Sequence, residues 1–237
     1  MTTQLPVGRV IELRRYPVKS LLGERRDALV IEPRGVVGDR LYAVRNEQGK
    51  FGSGKSTRRF RQMDGLFDLR AEYEGEHDFP SITFPDGSVV AGDDPALASK
   101  LTAHVGVPVE LAREAEIPHH DEGPIHLVTT AALRAIGVEA GEALRFRPNL
   151  VIDVPGTRMV EESWIGQDLA CGEQVRLRVT GRAIRCVMIG MAQADIAADP
   201  LLLRRLGEIN DAYFGVYAEV IVPGTVHLGA EVRMWSP

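Results

Sequence analysis

The sequence predicts a mainly β protein of α+β class, built as a β-barrel with a few short helices. Three observations carry this expectation. Apolar residues recur in many short runs that alternate or cluster between Gly, Pro and Asp. Only about three segments have a helical pattern, too few for the repeated crossovers of a parallel βαβ sheet. The chain has 237 residues with 44% apolar and 26% charged composition, enough to bury one large core or two modest ones.

Taken in order, Val7–Arg14, Ala28–Glu32, Leu41–Arg45 and Leu66–Glu72 have strand character. Pro80–Phe84 and Ser88–Ala91 flank Pro85-Asp86-Gly87, a hairpin signal. Asp94–Val105 is amphipathic, with Asp93 or Asp94 as cap and Pro95 in its first turn. Arg113–Pro124 is polar and carries two prolines, which places a boundary between residues 1–117 and 118–237. Beyond it, Ile125–Ile136 supplies a short strand and a helix. Strands follow at Phe146–Asp153, Gln174–Val179, Ala183–Ile189, Val216–Val222 and Glu231–Trp235, with a helix over Pro200–Leu206.

Composition removes several function classes. Twenty-eight basic against thirty-three acidic residues leave a formal charge of −5, so no basic field draws the chain to nucleic acid. MTTQLPVGRV lacks the apolar core of a leader, and no run approaches the ~20 apolar residues of a membrane span, so a cytoplasmic protein is expected. Two cysteines, Cys171 and Cys186, cannot hold an iron–sulfur cluster or a Cys₄ zinc site, each of which takes about four thiolates. Redox chemistry would therefore need electrons from outside the chain.

Gly49–Ser56 satisfies the phosphate-loop pattern GxxxxGK[ST], with Lys55 and Ser56 in the phosphate and magnesium positions. Its context differs from that of a nucleotide hydrolase. The segment Thr57–Gly65 is strongly basic and ends at Asp64-Gly65, and no βαβ unit surrounds it. A glycine-rich basic loop between strands accounts for it, with room to face an anion. His119-His120-Asp121-Glu122 has metal-ligating residue types, but adjacent side chains diverge and no second histidine pair stands at ligand spacing; a polar loop accounts for it.

Four segments in order resemble the MOSC family, named for the C-terminal domain of molybdenum cofactor sulfurase. They are Tyr16-Pro17-Val18-Lys19-Ser20, Gly35–Leu41 (GVVGDRL), Phe146–Ile152 (FRPNLVI) and Arg185-Cys186 followed by Asp199-Pro200. Phe214–Tyr217 and Gly224–Val232 resemble the family's closing strands. The resemblance implies a MOSC-type β-barrel intertwined with an N-terminal β-barrel-like region, and a molybdenum cofactor (molybdopterin with its metal). Cys186 takes the place of the protein's thiolate ligand to molybdenum and of the catalytic position; a soft thiolate suits such a metal. Cys171 matches no ligand and is read as structural.

For the pterin and its phosphate the resemblance points to Lys19, Ser20, Arg40, Arg147 and Asn149. The two arginines offer bidentate forks, and the amide can read a pterin edge. Where the family often has serine, Ala132 stands here, leaving Thr129 and Thr130 as the hydroxyl candidates. Arg58 and Arg59 are further candidates for the phosphate. By resemblance to amidoxime-reducing members, the expected activity is molybdenum-dependent reduction of N-hydroxylated small molecules, with electrons from a separate donor protein of ferredoxin or flavoprotein type. The plain run Val187–Met191 leaves open a cofactor carrier without turnover, and the phosphate-loop pattern leaves a nucleotide hydrolase as a third reading.

Overall fold

The computed structural model describes residues 6–75, 78–116 and 118–235. The division expected at 117/118 falls on Ile117, outside the described residues, as do residues 1–5 of the opening segment read for a leader.

A strand exposes alternate residues to opposite sides, and the barrel is built from strands that use this period. In Val175–Ile184 the side chains of Val175, Leu177 and Val179 are buried, while Arg178 and Thr180 face outward. Seven strands close into a ring. The order is Leu150–Asp153, Ile125–Thr129, Tyr213–Val222, Val175–Ile184, Asp168–Cys171, Glu231–Trp235 and Pro6–Arg15, which pairs back with Leu150–Asp153. Val10, Leu13, Leu127, Leu150, Ile152, Leu169, Leu177 and Val216 fill it, each at most 1% exposed. Ile125–Thr129 and Leu150–Asp153 run parallel and need a crossover, supplied by the helix Thr130–Ala135 and the 3-10 turn Ala140–Phe146.

A second core lies between the sheet of Val109–Arg113, Tyr42–Asn46, Phe51–Ser53 and Phe60–Gln62 and the helix Leu97–Val105. It includes Val18, Leu21, Val44, Leu69, Ile82 and Leu101. The two regions are woven together. Pro6–Arg15 completes the ring, and Ala28–Glu32 pairs with Gly224–His227 in a separate small sheet.

Several elements depart from their expected bounds. Leu66–Glu72 is not one strand: Leu66–Asp68 is a 3-10 turn and the strand starts at Arg70. Leu66 and Phe67 are consecutive and both buried, which a pleated strand cannot arrange on one face. Phe146 closes a 3-10 turn, and its strand begins only at Leu150. The strand expected over Ala183–Ile189 ends at Ile184, and Val187–Gly190 is a 3-10 turn. The helix expected from Asp94 starts at Leu97, after a turn in which Asp94 Oδ1 accepts from Ala96 N at 2.8 Å. The helix expected over Pro200–Leu206 spans Leu202–Asn210. Within Gly49–Ser56, Phe51–Ser53 is itself a strand, and the next element is the strand Phe60–Gln62 rather than a helix. Among the described residues, no helix is long and apolar enough to cross a membrane.

Candidate functional site

Register shifts at Val179/Gly181 and Arg182/Ile184 bend the strand Val175–Ile184 at the barrel rim. The bend delivers Arg185 and Cys186 to a cavity of about 270 Å³ at the seam between the two regions. That volume stands near the small end of ligand clefts, about 300–1,000 Å³. Lys19, Ser20, Arg40, Arg147 and Cys186 all line it, although their positions are far apart in sequence. Ser53, Lys55, Arg59, Phe60, Asp121, Arg145, Arg185 and Tyr217 complete much of its wall.

Strained backbone gathers at this wall. Ser20, Arg40 and Arg147 have φ of 67°, 50° and 56°, in the left-handed region that non-glycine residues rarely occupy. Each is held by its surroundings. Arg40 N donates to Tyr16 O at 2.6 Å, and Arg147 N donates to Leu144 O at 2.9 Å. Ser20 follows Val18–Lys19, a short strand paired parallel to Tyr42–Ala43.

The wall is strongly cationic in a chain of net negative charge. Seven lysine or arginine side chains line the cavity against two carboxylates, Asp121 and Glu122. Lys19 is 5% exposed and donates to His119 O at 2.7 Å and Asp121 Oδ1 at 2.5 Å. Burial lowers its pKa, with the Asp121 carboxylate opposing. Burial acts to raise the pKa of Asp121, but Lys19 outweighs it and holds the carboxyl well below its usual range. Asp121 is itself open to the cavity, with 58% of its side chain exposed. Arg40 is ion-paired with Asp39, and Arg147 Nη1 donates to Leu21 O at 2.6 Å. Burial and the Arg40 charge push the Arg147 pKa down to about 10.

Two donors on this wall are left over. Arg147 Nη2 and Arg185 Nε are buried with no hydrogen-bond partner. Buried donors without partners cost free energy, of the order of 1–3 kcal/mol each, and a bound acceptor would remove that cost. A wall with spare guanidinium donors and one soft thiol fits an anionic pterin whose metal takes sulfur.

The two cysteines differ as their surroundings require. Cys186 is half-buried in the cavity wall, in extended backbone at the start of the Val187–Gly190 turn. Cys171 is fully buried in the ring core, and burial pushes its thiol up to about 12. It lies at the end of the strand Asp168–Cys171.

Three expected cofactor residues are placed elsewhere. Thr129 Oγ1 donates to Glu161 Oε2 at 2.7 Å and accepts from Ala132 N at 3.0 Å, so it caps the helix Thr130–Ala135. Thr130 Oγ1 donates to Asp153 Oδ1 at 2.7 Å and accepts from Val154 N at 3.0 Å. Neither lines the cavity, because both hydroxyls are committed inside the barrel. Asn149 is 1% exposed, accepts from His126 N at 3.1 Å and donates to Arg14 O at 3.3 Å. Its amide staples backbone and borders only a void of about 30 Å³ beside the main cavity.

Sequence reasoning missed Arg145 and gave Asp121 no role at the thiol site. Arg145 is buried and donates to Ala197 O at 2.6 Å and to Ile189 O and Met191 O at 3.4 Å, so it braces the segment after Cys186. Its place two residues before Arg147 in FRP was the available signal. His119 packs edge-on against Phe51, with ring centroids 5.0 Å apart. Burial lowers the pKa of His120 to about 4. Among the described residues, no three His, Cys, Asp or Glu side chains form a group able to hold a metal.

Comparison with known proteins gives matches over both regions. A model of the MOSC domain matches residues 114–233, and a model of the MOSC N-terminal beta barrel domain matches residues 7–101. No curated protein matches the chain. Among solved structures, the chain is similar to the YuaD protein of Bacillus subtilis at 16% identity, with 100% of both chains covered and a TM-score of 0.50. It is also similar to YiiM from Geobacillus stearothermophilus, at 16% identity over 48% of this chain and 55% of that one, with a TM-score of 0.36. YiiM from Escherichia coli is 20% identical over the same shares, with a TM-score of 0.34.

Proposed function

The chain belongs to the MOSC family, a family of molybdenum cofactor-binding domains, and we propose that the seam cavity holds a molybdenum–pterin cofactor with the Cys186 thiolate as the protein's ligand to the metal. The observation that carries this reading is the meeting, in one cavity, of a half-buried thiol with spare arginine donors on Arg147 and Arg185. Lys19, Ser20, Arg40 and Arg147 would hold the anionic and hydrogen-bonding parts of the cofactor. When bound, the cofactor would supply the two-electron redox chemistry of the reaction.

The reaction we propose is reduction of N-hydroxylated compounds in the cytoplasm. The N–O bond breaks, two electrons and two protons are taken up, and an N–H product and water leave. The electrons come from a separate donor protein of ferredoxin or flavoprotein type. Protons must reach the departing oxygen, and the wall brings one group suited to that: burial lowers the pKa of Lys19, which makes it a readier proton donor.

A specific observation favours a second reading, a cofactor carrier without turnover. The wall residues that follow the thiol, Met188 and Ile189, offer no proton donor or acceptor. Protein produced in a host that makes the cofactor separates the readings. Stoichiometric molybdenum, with turnover of an amidoxime only when dithionite or a donor protein is added, supports the reductase. Molybdenum without turnover under any reductant supports the carrier, and protein without molybdenum defeats both.

A further inference from the structure

The cofactor grip proposed above does not draw on the basic loop after the strand Phe51–Ser53, yet that loop forms part of the cavity wall; of its two further phosphate candidates, Arg59 lines the cavity and Arg58 does not. Lys55 and Arg59 both line the cavity. They share one ring with Lys19: Lys19 Nζ, Lys55 Nζ and Arg59 Cζ stand 5.5, 5.7 and 5.7 Å from the centroid of Phe60. Three cations around a single ring repel one another, and only Lys19 has a carboxylate partner here, Asp121. Arg59 donates from Nη2 to Pro118 O at 2.8 Å, a neutral acceptor. Among the described residues, Lys55 makes no ion pair or hydrogen bond, and Glu122, the other carboxylate of the wall, is paired with neither cation.

The loop is fixed relative to the thiol. Ser53 Oγ meets Met188 Sδ at 3.4 Å, and Gly54 packs so closely on the turn after Cys186 that a Cβ there would come within 2.7 Å of Met191 Sδ. Lys55 is half-buried, and the neighbouring Ser56, Thr57 and Arg58 are exposed, so this side of the cavity opens to solvent. Lys19, Arg40 and Arg147, by contrast, are tied to protein acceptors.

We propose that Lys55 and Arg59 form an anion-binding subsite at the cavity's entrance, which receives a carboxylate or phosphate group on the substrate and presents the rest of the molecule to Cys186. This rests on the reductase reading and narrows its substrates to N-hydroxylated compounds that carry an acidic group. The cluster also gives an otherwise acidic protein a locally positive entrance, which steers anions toward it.

The test compares an aromatic amidoxime bearing a para-carboxylate with its neutral para-carboxamide, using molybdenum-loaded wild type and the double variant Lys55→Gln/Arg59→Gln. Binding is read by isothermal titration, and molybdenum is measured in both proteins. Wild type is expected to bind the carboxylate roughly tenfold or more tightly than the carboxamide, a preference that shrinks at high salt. The double variant should lose that preference and keep its molybdenum. Equal binding of the two compounds by wild type would overturn the subsite. Loss of molybdenum in the double variant would overturn it too, by showing that the loop grips the cofactor. A carboxylate preference with no turnover of either compound under any reductant would leave the subsite standing and defeat the reductase reading instead.

Discussion

Arg40 donates from Nη2 to the carbonyl oxygen of Arg147 at 3.0 Å, latching a loop of the N-terminal region to the barrel's crossover. Both guanidinium groups lie over the ring of Tyr16, at 4.8 Å and 4.3 Å from its centroid. The two forks are therefore positioned by each other and by an aromatic plate before any ligand arrives.

Arg40→Lys keeps the charge but not the fork, so it cannot serve Asp39 and the Arg147 carbonyl together. The expected loss is about 1–2 kcal/mol of stability. Chemical denaturation measures this, and metal analysis should show reduced molybdenum retention. Unchanged stability and full molybdenum would show that the latch contributes nothing.

The cysteines should separate under iodoacetamide. In the native protein free of cofactor, Cys186 is expected to be alkylated and Cys171 only after unfolding, as mass spectrometry would show. Cys171→Ser puts a hydroxyl into the ring core at a cost of about 1–3 kcal/mol, whereas Cys186→Ser should fold at close to wild-type stability. X-ray absorption at the molybdenum edge should lose one sulfur scatterer in Cys186→Ser alone; loss in Cys171→Ser instead would sink the assignment.

Glu161 is buried and accepts from Thr129, while its Oε1 has no partner; burial pushes its pKa up to about 7. The folded state then holds a proton that the unfolded state, near the ordinary 4.5, has released. Its contribution is fully present below about pH 4.5 and is lost as pH rises through about 7, amounting to about 3 kcal/mol. His119, His120 and His126, whose pKa values burial lowers, act in the opposite sense, adding stability as pH rises through the histidine range. The difference between wild type and Glu161→Gln isolates the carboxyl. The variant should gain on wild type between pH 5 and 7.5, and a flat difference would refute the assignment.

Arg145→Met removes the brace on the segment after Cys186. The expected outcome is a loss of about 2–3 kcal/mol, with faster amide exchange confined to residues 187–197 in hydrogen-exchange mass spectrometry. Exchange unchanged in that segment would mean that the brace is redundant.

What the sequence disclosed follows from which interactions are local. Val7–Arg14 and Glu231–Trp235 were legible as strands, with bounds close to those observed, Pro6–Arg15 and Glu231–Trp235. The end of the strand before Cys186 was not, because bulges at Gly181 and Ile184 leave no mark in hydrophobic periodicity. That Thr129 and Thr130 lie off the cavity was not legible, because their partners, Glu161 and Asp153, are over twenty residues away and set by barrel closure. Lys19, Ser20 and Arg40 were expected from family resemblance and line the cavity; Arg145 was overlooked because the carbonyls it braces, of Ile189, Met191 and Ala197, are over forty residues away in sequence.

The ring carries a consequence for how the molecule comes into being. Gly8 pairs with Val232 and Leu13 with Leu150, so the first strand to leave the ribosome waits for the last before both its edges are covered. During synthesis that strand and its neighbours present open hydrogen-bonding edges, the condition in which nascent chains associate wrongly. Splitting the gene between residues 117 and 118 would recreate this half-made state permanently: residues 118–237 alone would lack the stave between Leu150–Asp153 and Glu231–Trp235, and supplying residues 6–15 in trans should restore a soluble barrel.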